Sequence, residues 1–241
     1  MTDLFIFMCI IFIASILQTS TGFGFSIMAT PFLLLLFQPN EAIQINLILS
    51  LLISLTLIWK IRKAVDYVLM KKFIKGSLAG VPIGLFVFMT IDDLTTFKIV
   101  VSIMLLVLTV LLVFNLRIKR TPFRDYLIGG VSGVLTTSIG MPGPPLLLYF
   151  AGTGTKKDVL RATTLAFYLF IYLISLGTQL MFTGTNRIIW ESSLKAIPIV
   201  IFGLLIGQVL FHWINQRIFT IFTYVLLSFT GVYLLIESIF F

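Results

Sequence analysis

The chain has 241 residues, 59% hydrophobic and only 11% charged, with a mean hydropathy of +1.12. Soluble domains carry about 45–50% apolar and about 25% charged residues, so a fold built for water is excluded and one membrane-embedded domain is implied. The net charge of +8 does not point to nucleic acid, because the Lys and Arg residues sit in short segments between apolar runs, where they set membrane topology.

Uncharged runs mark the elements in order: 4–40, 42–59, 76–91, 99–116, 126–155, 162–186, 196–211 and 218–236. Six fit one crossing each, since a spanning helix needs about 20 apolar residues. The first run does not: as one straight helix it would be roughly 55 Å long. It contains a breaker, Thr19-Ser-Thr-Gly-Phe-Gly24, and the fifth run contains another, Ser138-Ile-Gly-Met-Pro-Gly-Pro-Pro145. Both are expected to be paired half-helices joined by irregular backbone, a hairpin over 4–37 and a hairpin over 126–151. Single crossings are expected at 42–60, 75–91, 97–117, 160–182, 190–211 and 217–238. Cys9 is the one cysteine, so no internal disulfide or thiol relay can form. A cleavable leader is not expected, because residues 1–3 carry no basic segment and the first apolar run is too long.

The two long runs resemble each other. Thr19-Ser20-x-Gly22 recurs as Thr137-Ser138-x-Gly140, Glu41 has a counterpart in Asp158, and Gly80/Gly84 in Gly203/Gly207, at offsets of 118, 117 and 123. Residues 1–118 and 122–241 therefore read as two copies of one unit, with an insertion near Thr183–Arg187. The glycine pairs, with Gly129/Gly133, have the small-xxx-small spacing that lets helix backbones approach closely. If each broken run is a re-entrant hairpin, each copy has three crossings and the copies are inverted. One side then collects 14 of the 17 Lys and Arg, with six in 60–75, four in 117–124, three in 156–161 and Arg217. Eight simple spans would divide them 12 to 5. Cytoplasmic loops collect Lys and Arg, which favours the hairpins, with both termini outside. The expected fold is an all-α polytopic membrane protein of two inverted repeats, each a broken hairpin plus three transmembrane helices.

Irregular backbone at membrane depth survives only where protein buries it or where it lines a cavity, so the two breaks are expected to flank a shared midplane site. Each break also begins a new helix, whose free N–H groups and dipole suit an anion without a basic side chain. Gly22, Gly24, Gly140 and Gly143 allow close backbone approach. Gln18, Thr19, Ser20, Thr21, Ser26, Thr136, Thr137 and Ser138 offer hydroxyl and amide groups, and Met141 lies within the second break. The alternative use of these groups is to satisfy the broken helix ends. Asn46 and Ser50, Thr163, Thr164 and Tyr168, and Gln179 and Gln208 are polar residues inside other runs, able to contact cargo or to tie helices together. Arg161 opens its span on the basic side, where it could meet an anion or extend to the interface.

The acidic residues fall near run ends, the one histidine is His212, and no P-loop or metal-ligand cluster is present. No metal and no cofactor are expected, and neither an ATPase nor an intramembrane hydrolase is supported. The expected partners are a small anion and the lipid bilayer; association of copies is left open.

These residues resemble the TauE/SafE sulfite exporter family over the whole chain. The most specific stretch is Ile139-Gly-Met-Pro-Gly-Pro-Pro-Leu-Leu-Leu-Tyr-Phe150 followed by Lys156-Lys-Asp-Val-Leu-Arg161-Ala-Thr-Thr164, similar to the family's glycine-rich Pro-Pro pattern, basic segment and Arg-Ala-Thr motif. Thr21-Gly-Phe-Gly-Phe25 looks like a degraded glycine triplet, so the two half-sites need not be equivalent. The resemblance implies transport of sulfite or organosulfonate-like anions across a prokaryotic cytoplasmic membrane. The residues themselves reach only an anion at paired helix ends. A carrier whose two copies rock, an anion channel, and a substrate-free scaffold or receptor remain open; export down the membrane potential needs no coupling ion.

Overall fold

Helix starts and stops follow local chemistry throughout the chain. The computed structural model describes the backbone of residues 2–91, 93–114, 119–213 and 216–240, and all regular elements among them are helices. They are α1 (Thr2–Thr21), α2 (Phe25–Leu33), α3 (Pro39–Ile61), a 3-10 turn (Arg62–Ala64), α4 (Tyr67–Thr90), α5 (Leu94–Val113), α6 (Pro122–Ile139), α7 (Gly143–Thr153), α8 (Lys157–Phe182), α9 (Arg187–Trp213) and α10 (Gln216–Phe240). Pro39 opens α3 and Glu41 turns back to accept from the Gln38 N–H. Asp66 caps α4 by accepting from the Leu69 N–H at 3.0 Å. Asp93 accepts from both the N–H and the hydroxyl of Thr96 at the start of α5, which holds its carboxyl below the usual carboxylate range. Thr121 caps α6 by accepting from the Arg124 N–H, and Pro122 opens that helix as Pro39 opens α3.

Asp66 moves one boundary. α4 begins well ahead of the expected 75, so Lys71, Lys72 and Lys75 lie on its first turns instead of in a loop. Arg117 and Arg217, which entered the charge count, have side chains outside the described residues. α1, α3, α4, α5, α8 and α9 are long and apolar enough to cross a membrane; in α10 the described apolar stretch is Leu227–Ile239.

At both breaks the chain doubles back. Phe7, early in α1, meets Phe37, beyond α2, with ring centroids 5.5 Å apart. Arg120, ahead of α6, donates to the Thr155 hydroxyl, beyond α7, at 2.8 Å. The first limbs are longer than half-helices: α1 has 20 residues and α6 has 18, against 9 in α2 and 11 in α7. From Phe7 to Thr21 the rise is about 21 Å, more than half of a ~30 Å hydrocarbon layer.

Hydrogen bonds between connections sort the two ends of the bundle. At one end Gln44 donates to the Gly184 carbonyl, Asn186 to Glu41 and Lys98 to Glu237. At the other, Arg120 pairs with Asp66, the Asp66 N–H donates to Thr163, and Lys60 donates to Gln208. The first hairpin opens at the former end and the second at the latter, which also carries Lys60, Lys63, Arg120 and Lys157.

Helix pairing has a regular pattern. α1 packs on α9 and α4 on α6; α3 packs on α8 and α5 on α10. Exchanging the first five helices for the last five maps each of these pairs onto another, or onto itself. Glycine makes the first two pairs close. A Cβ on Gly76 or Gly80 would overlap the backbone of Tyr126 or Gly130 in α6, and one on Gly129 or Gly133 would overlap Phe73 or Ser77 in α4. Gly203 and Gly207 do the same for α9 against α1, facing Ser15 and Thr19.

Candidate functional site

The first break occupies residues 22–24 and the second 140–142. Gly22 and Gly24 have φ of 90° and 130°, and Gly140 ends α6 in the left-handed region at φ 72°. These three values are open to glycine at little cost and are strained for residues with a Cβ. The breaks touch: a Cβ on Gly143 would sit 3.5 Å from Phe23 Cβ and 2.8 Å from the Tyr168 hydroxyl. The short helices α2 and α7 thus start beside each other inside the bundle, where Phe25, Ser26, Ile27, Gly143, Pro144 and Pro145 are all buried.

The two tips differ in donors. Met28 N–H is the first to bond back, to the Gly24 carbonyl, so the N–H groups of Phe25, Ser26 and Ile27 have no intrahelical partner. At the other tip Pro144 and Pro145 have no N–H to offer. The Met141 N–H is already spent on the Leu135 carbonyl, which leaves Gly143 as the donor ahead of the two prolines. The expected pair of amide tips is therefore one amide-rich tip and one poorer in amides, because the prolines that begin the second helix well also remove donors.

Several expected hydroxyls are committed to their own helices. Ser20 donates to the Ile16 carbonyl, Thr21 to Leu17, Thr136 to Ser132 and Ser138 to Val134, all at 2.5–2.7 Å. These bonds satisfy helix carbonyls near the breaks and leave no hydroxyl hydrogen for cargo. Gln208 pairs with Lys60 and Thr163 accepts from Asp66, both at the basic end.

A second group ties the breaks to the crossing helices and keeps free atoms. Gln18 donates to the Ser50 carbonyl and the Ser54 hydroxyl at 3.2 Å, and its Oε1 has no partner. Asn46 donates to the Gly140 carbonyl at 2.7 Å, and its Oδ1 has none. Gln179 donates to the Thr137 carbonyl at 2.9 Å, while the Thr137 and Ser175 hydroxyls bond each other at 2.9 Å. The Thr19, Thr30 and Thr164 hydroxyls and two Arg161 nitrogens are buried without a partner. Buried polar atoms are nearly always hydrogen-bonded, so a concentration of unpaired ones around two breaks marks a place where water or cargo belongs. Met141 is fully buried and Ser26 bonds the Tyr172 hydroxyl at 2.8 Å.

Tyr172, Ser175 and Thr30 are the residues that sequence reasoning missed. A signal existed for the first two: Arg161, Thr164, Tyr168, Tyr172, Ser175 and Gln179 recur every three or four residues, which is one face of α8. All six are buried. The face runs about 27 Å along the helix, from the basic end to the opposite one. Thr30 follows a break and precedes Pro31, and no sequence pattern distinguishes it; its hydroxyl lies 3.6 Å from a Cβ built on Gly140. Two cavities open at the basic end. One of about 250 Å³ is lined by Lys60, Lys63, Asp158, Arg161 and Phe211, and one of about 190 Å³ by Asp66, Lys72, Arg120 and Asp125. Asp125, expected at a run end, is 3% exposed; it pairs with Lys72 at 2.8 Å and accepts from the Tyr149 hydroxyl.

No curated protein and no solved structure matches the chain. The family model described as "Sulfite exporter TauE/SafE" matches residues 7–234. That span takes in both breaks, the α8 face and all but the outermost turns of the bundle, and the chain belongs to the TauE/SafE sulfite exporter family.

Proposed function

We propose that this protein carries a small sulfur-containing oxyanion, sulfite or an organosulfonate, through the bundle by alternating access between the two breaks. The observation that carries the reading is the set of unpaired buried polar atoms of Gln18, Thr19, Asn46, Arg161 and Thr164 around two uncapped, buried helix starts. The α2 amides bind the oxyanion, with Gly22, Gly24, Gly140 and Gly143 giving it backbone access. The polar face of α8 supplies stations on either side. Ser20, Thr21, Ser138 and Met141 shape the breaks, and Ser26, Thr137 and the Tyr172–Ser26 pair hold them in place. A potential negative inside drives a monoanion outward by about 2.3 kcal/mol per 100 mV, so export requires no coupling ion. The counterpart pairings of the helices support two inverted repeats, 1–118 and 122–241, in the cytoplasmic membrane of a prokaryote.

Proteoliposomes test the reading. Loaded with sulfite or sulfoacetate, they are expected to lose the anion at a rate that rises with an imposed potential, whereas taurine, which carries no net charge, responds little. Gly140→Ala, which adds a strained Cβ 2.9 Å from Asn46 Nδ2, is expected to slow efflux at least about tenfold in protein that still folds. Absence of anion movement by the unaltered protein refutes the function. Topology is tested separately with Thr2→Cys and Ile239→Cys in a Cys9→Ser background. Both are expected to react with a membrane-impermeant maleimide added outside, and labelling from the cytoplasm alone refutes the inverted arrangement.

A further inference from the structure

Arg161 is only 6% exposed, yet its Nε and Nη2 have no hydrogen-bond partner. These two nitrogens share one edge of the guanidinium, where parallel N–H bonds fit two oxygens of a single sulfonate, carboxylate or phosphate. An arginine that merely extended to the interface would place its head in water. This one is held inside. Its plane lies against Phe211, with Cζ 4.1 Å from the ring centroid, and Lys157 Nζ is over the same ring at 4.8 Å. Behind it is the first break: a Cβ on Gly22 would fall 2.8 Å from Arg161 Cα and 3.1 Å from Cγ. Arg161 also lines the 250 Å³ cavity, where Lys60 and Lys63 contribute positive charge and Asp158 negative. Lys60 is engaged by Gln208, and among the described residues no carboxylate reaches ion-pair distance of Arg161. A buried guanidinium edge with no hydrogen-bond or ion-pair partner is costly unless something occupies it.

We infer that the Nε–Nη2 edge of Arg161 is a second oxyanion subsite, a bidentate fork that receives a sulfite or sulfonate group at the basic end of the bundle before it reaches the first break. The proposal rests on the reading of the chain as an anion carrier and adds a direction to it. At the second break the residue in the comparable place is Asn46, neutral and already donating to the Gly140 carbonyl. Cargo therefore meets a charged fork at one end and an uncharged amide at the other, so capture from the basic end is the stronger of the two. A lipid phosphate presents the same pair of oxygens as a soluble sulfonate. The enclosure of the fork between the first break and the cavity favours the soluble ion.

Equilibrium binding decides it. The purified full chain is titrated with sodium sulfite, and separately with sulfoacetate, by calorimetry at constant ionic strength, first in neutral detergent and then in nanodiscs containing phosphatidylglycerol. Arg161→Lys keeps the charge but not the fork and is expected to weaken binding about 10- to 100-fold, as loss of a charged bidentate pair does. Lys195→Gln, at the opposite end of the bundle with an exposed side chain, is expected to change it less than about threefold. Unaltered melting temperatures show that the variants are folded, and rescue of folding by Lys but not Gln at position 161 still leaves the Lys variant readable. Wild-type affinity in Arg161→Lys overturns the subsite, as does a wild-type protein that binds neither probe. Loss of sulfite affinity in the phosphatidylglycerol nanodiscs gives the fork to a lipid headgroup and overturns it too. Binding that depends on Arg161 in a protein that moves no anion in liposomes leaves the subsite standing and removes the transport reading, so the two fail separately.

Discussion

Gly80→Leu is expected to yield no folded protein, and Gly80→Ala a protein destabilised by about 1–3 kcal/mol, the usual cost of an overpacked contact. The reason is what stands opposite. A Cβ at position 80 would overlap the Gly130 carbonyl, and neighbouring contacts at Gly76, Gly84, Gly129 and Gly133 are likewise against backbone. Side chains can rotate away from a new methyl, but a facing helix backbone can only move as a body, and moving it opens every other contact in the row. Thermal or SDS-induced unfolding of the detergent-solubilised protein measures the loss. Gly177→Ala is the control: it lies within α8 with nothing inside 4 Å of its Cβ position. There the substitution is expected to be neutral or to stabilise by up to about 1 kcal/mol, because alanine has the higher helix propensity. Equal losses at 80 and 177 would refute the packing argument.

Asp125→Ala carries the other large expected effect. Asp125 joins three elements, with α6 supplying the carboxylate, α4 the Lys72 ammonium and α7 the Tyr149 hydroxyl. Tyr149 is fully buried and stands edge-on to Phe73 at 5.4 Å, so its hydroxyl has no route to water. Removing one partner of a buried pair costs about 3–5 kcal/mol. The Lys72 side chain is 27% exposed and can reach solvent, which places the expected loss at the lower end of that range. Asp125→Asn keeps an acceptor for Tyr149 while losing the ion pair, and about half the loss is expected. Unfolding measurements on the two variants separate the hydroxyl from the ammonium; indistinguishable losses would show that Tyr149 contributes nothing.

Much of this fold could be read from the sequence because the signals were local and strong. Uncharged runs of spanning length announced the helices, and the breakers at Thr19–Gly24 and Ser138–Pro145 announced where two of them fail. Gly80/Gly84 and Gly203/Gly207 announced close packing, and close packing is what they do. Boundaries were less legible. A cap such as Asp66 can start a helix inside a basic segment, so charge alone misplaced the beginning of α4. Among the residues expected at the breaks and inside the spans, Gln18, Thr19, Asn46, Arg161 and Thr164 hold unpaired buried atoms. What could not be read was how each hydroxyl spends its hydrogen. Ser20, Thr21 and Ser138 differ from Thr19 only in whether a helix carbonyl or a neighbouring element lies in reach, and that is decided by the bundle. The poverty of the second tip was visible from the start, since Pro144 and Pro145 can donate nothing, but it carries weight only once that helix start is known to be buried.

The glycine seams also decide which pieces hold together. The two tightest seams, α4 with α6 and α1 with α9, each join a helix from one half of the chain to a helix from the other. A motion that separated residues 1–118 from 122–241 would have to unzip both at once. The tightly packed units are therefore hybrids, one woven around α1 and α9 and the other around α4 and α6. The order of the chain and the order of the packed units are thus different things: each unit is built from both halves of the sequence.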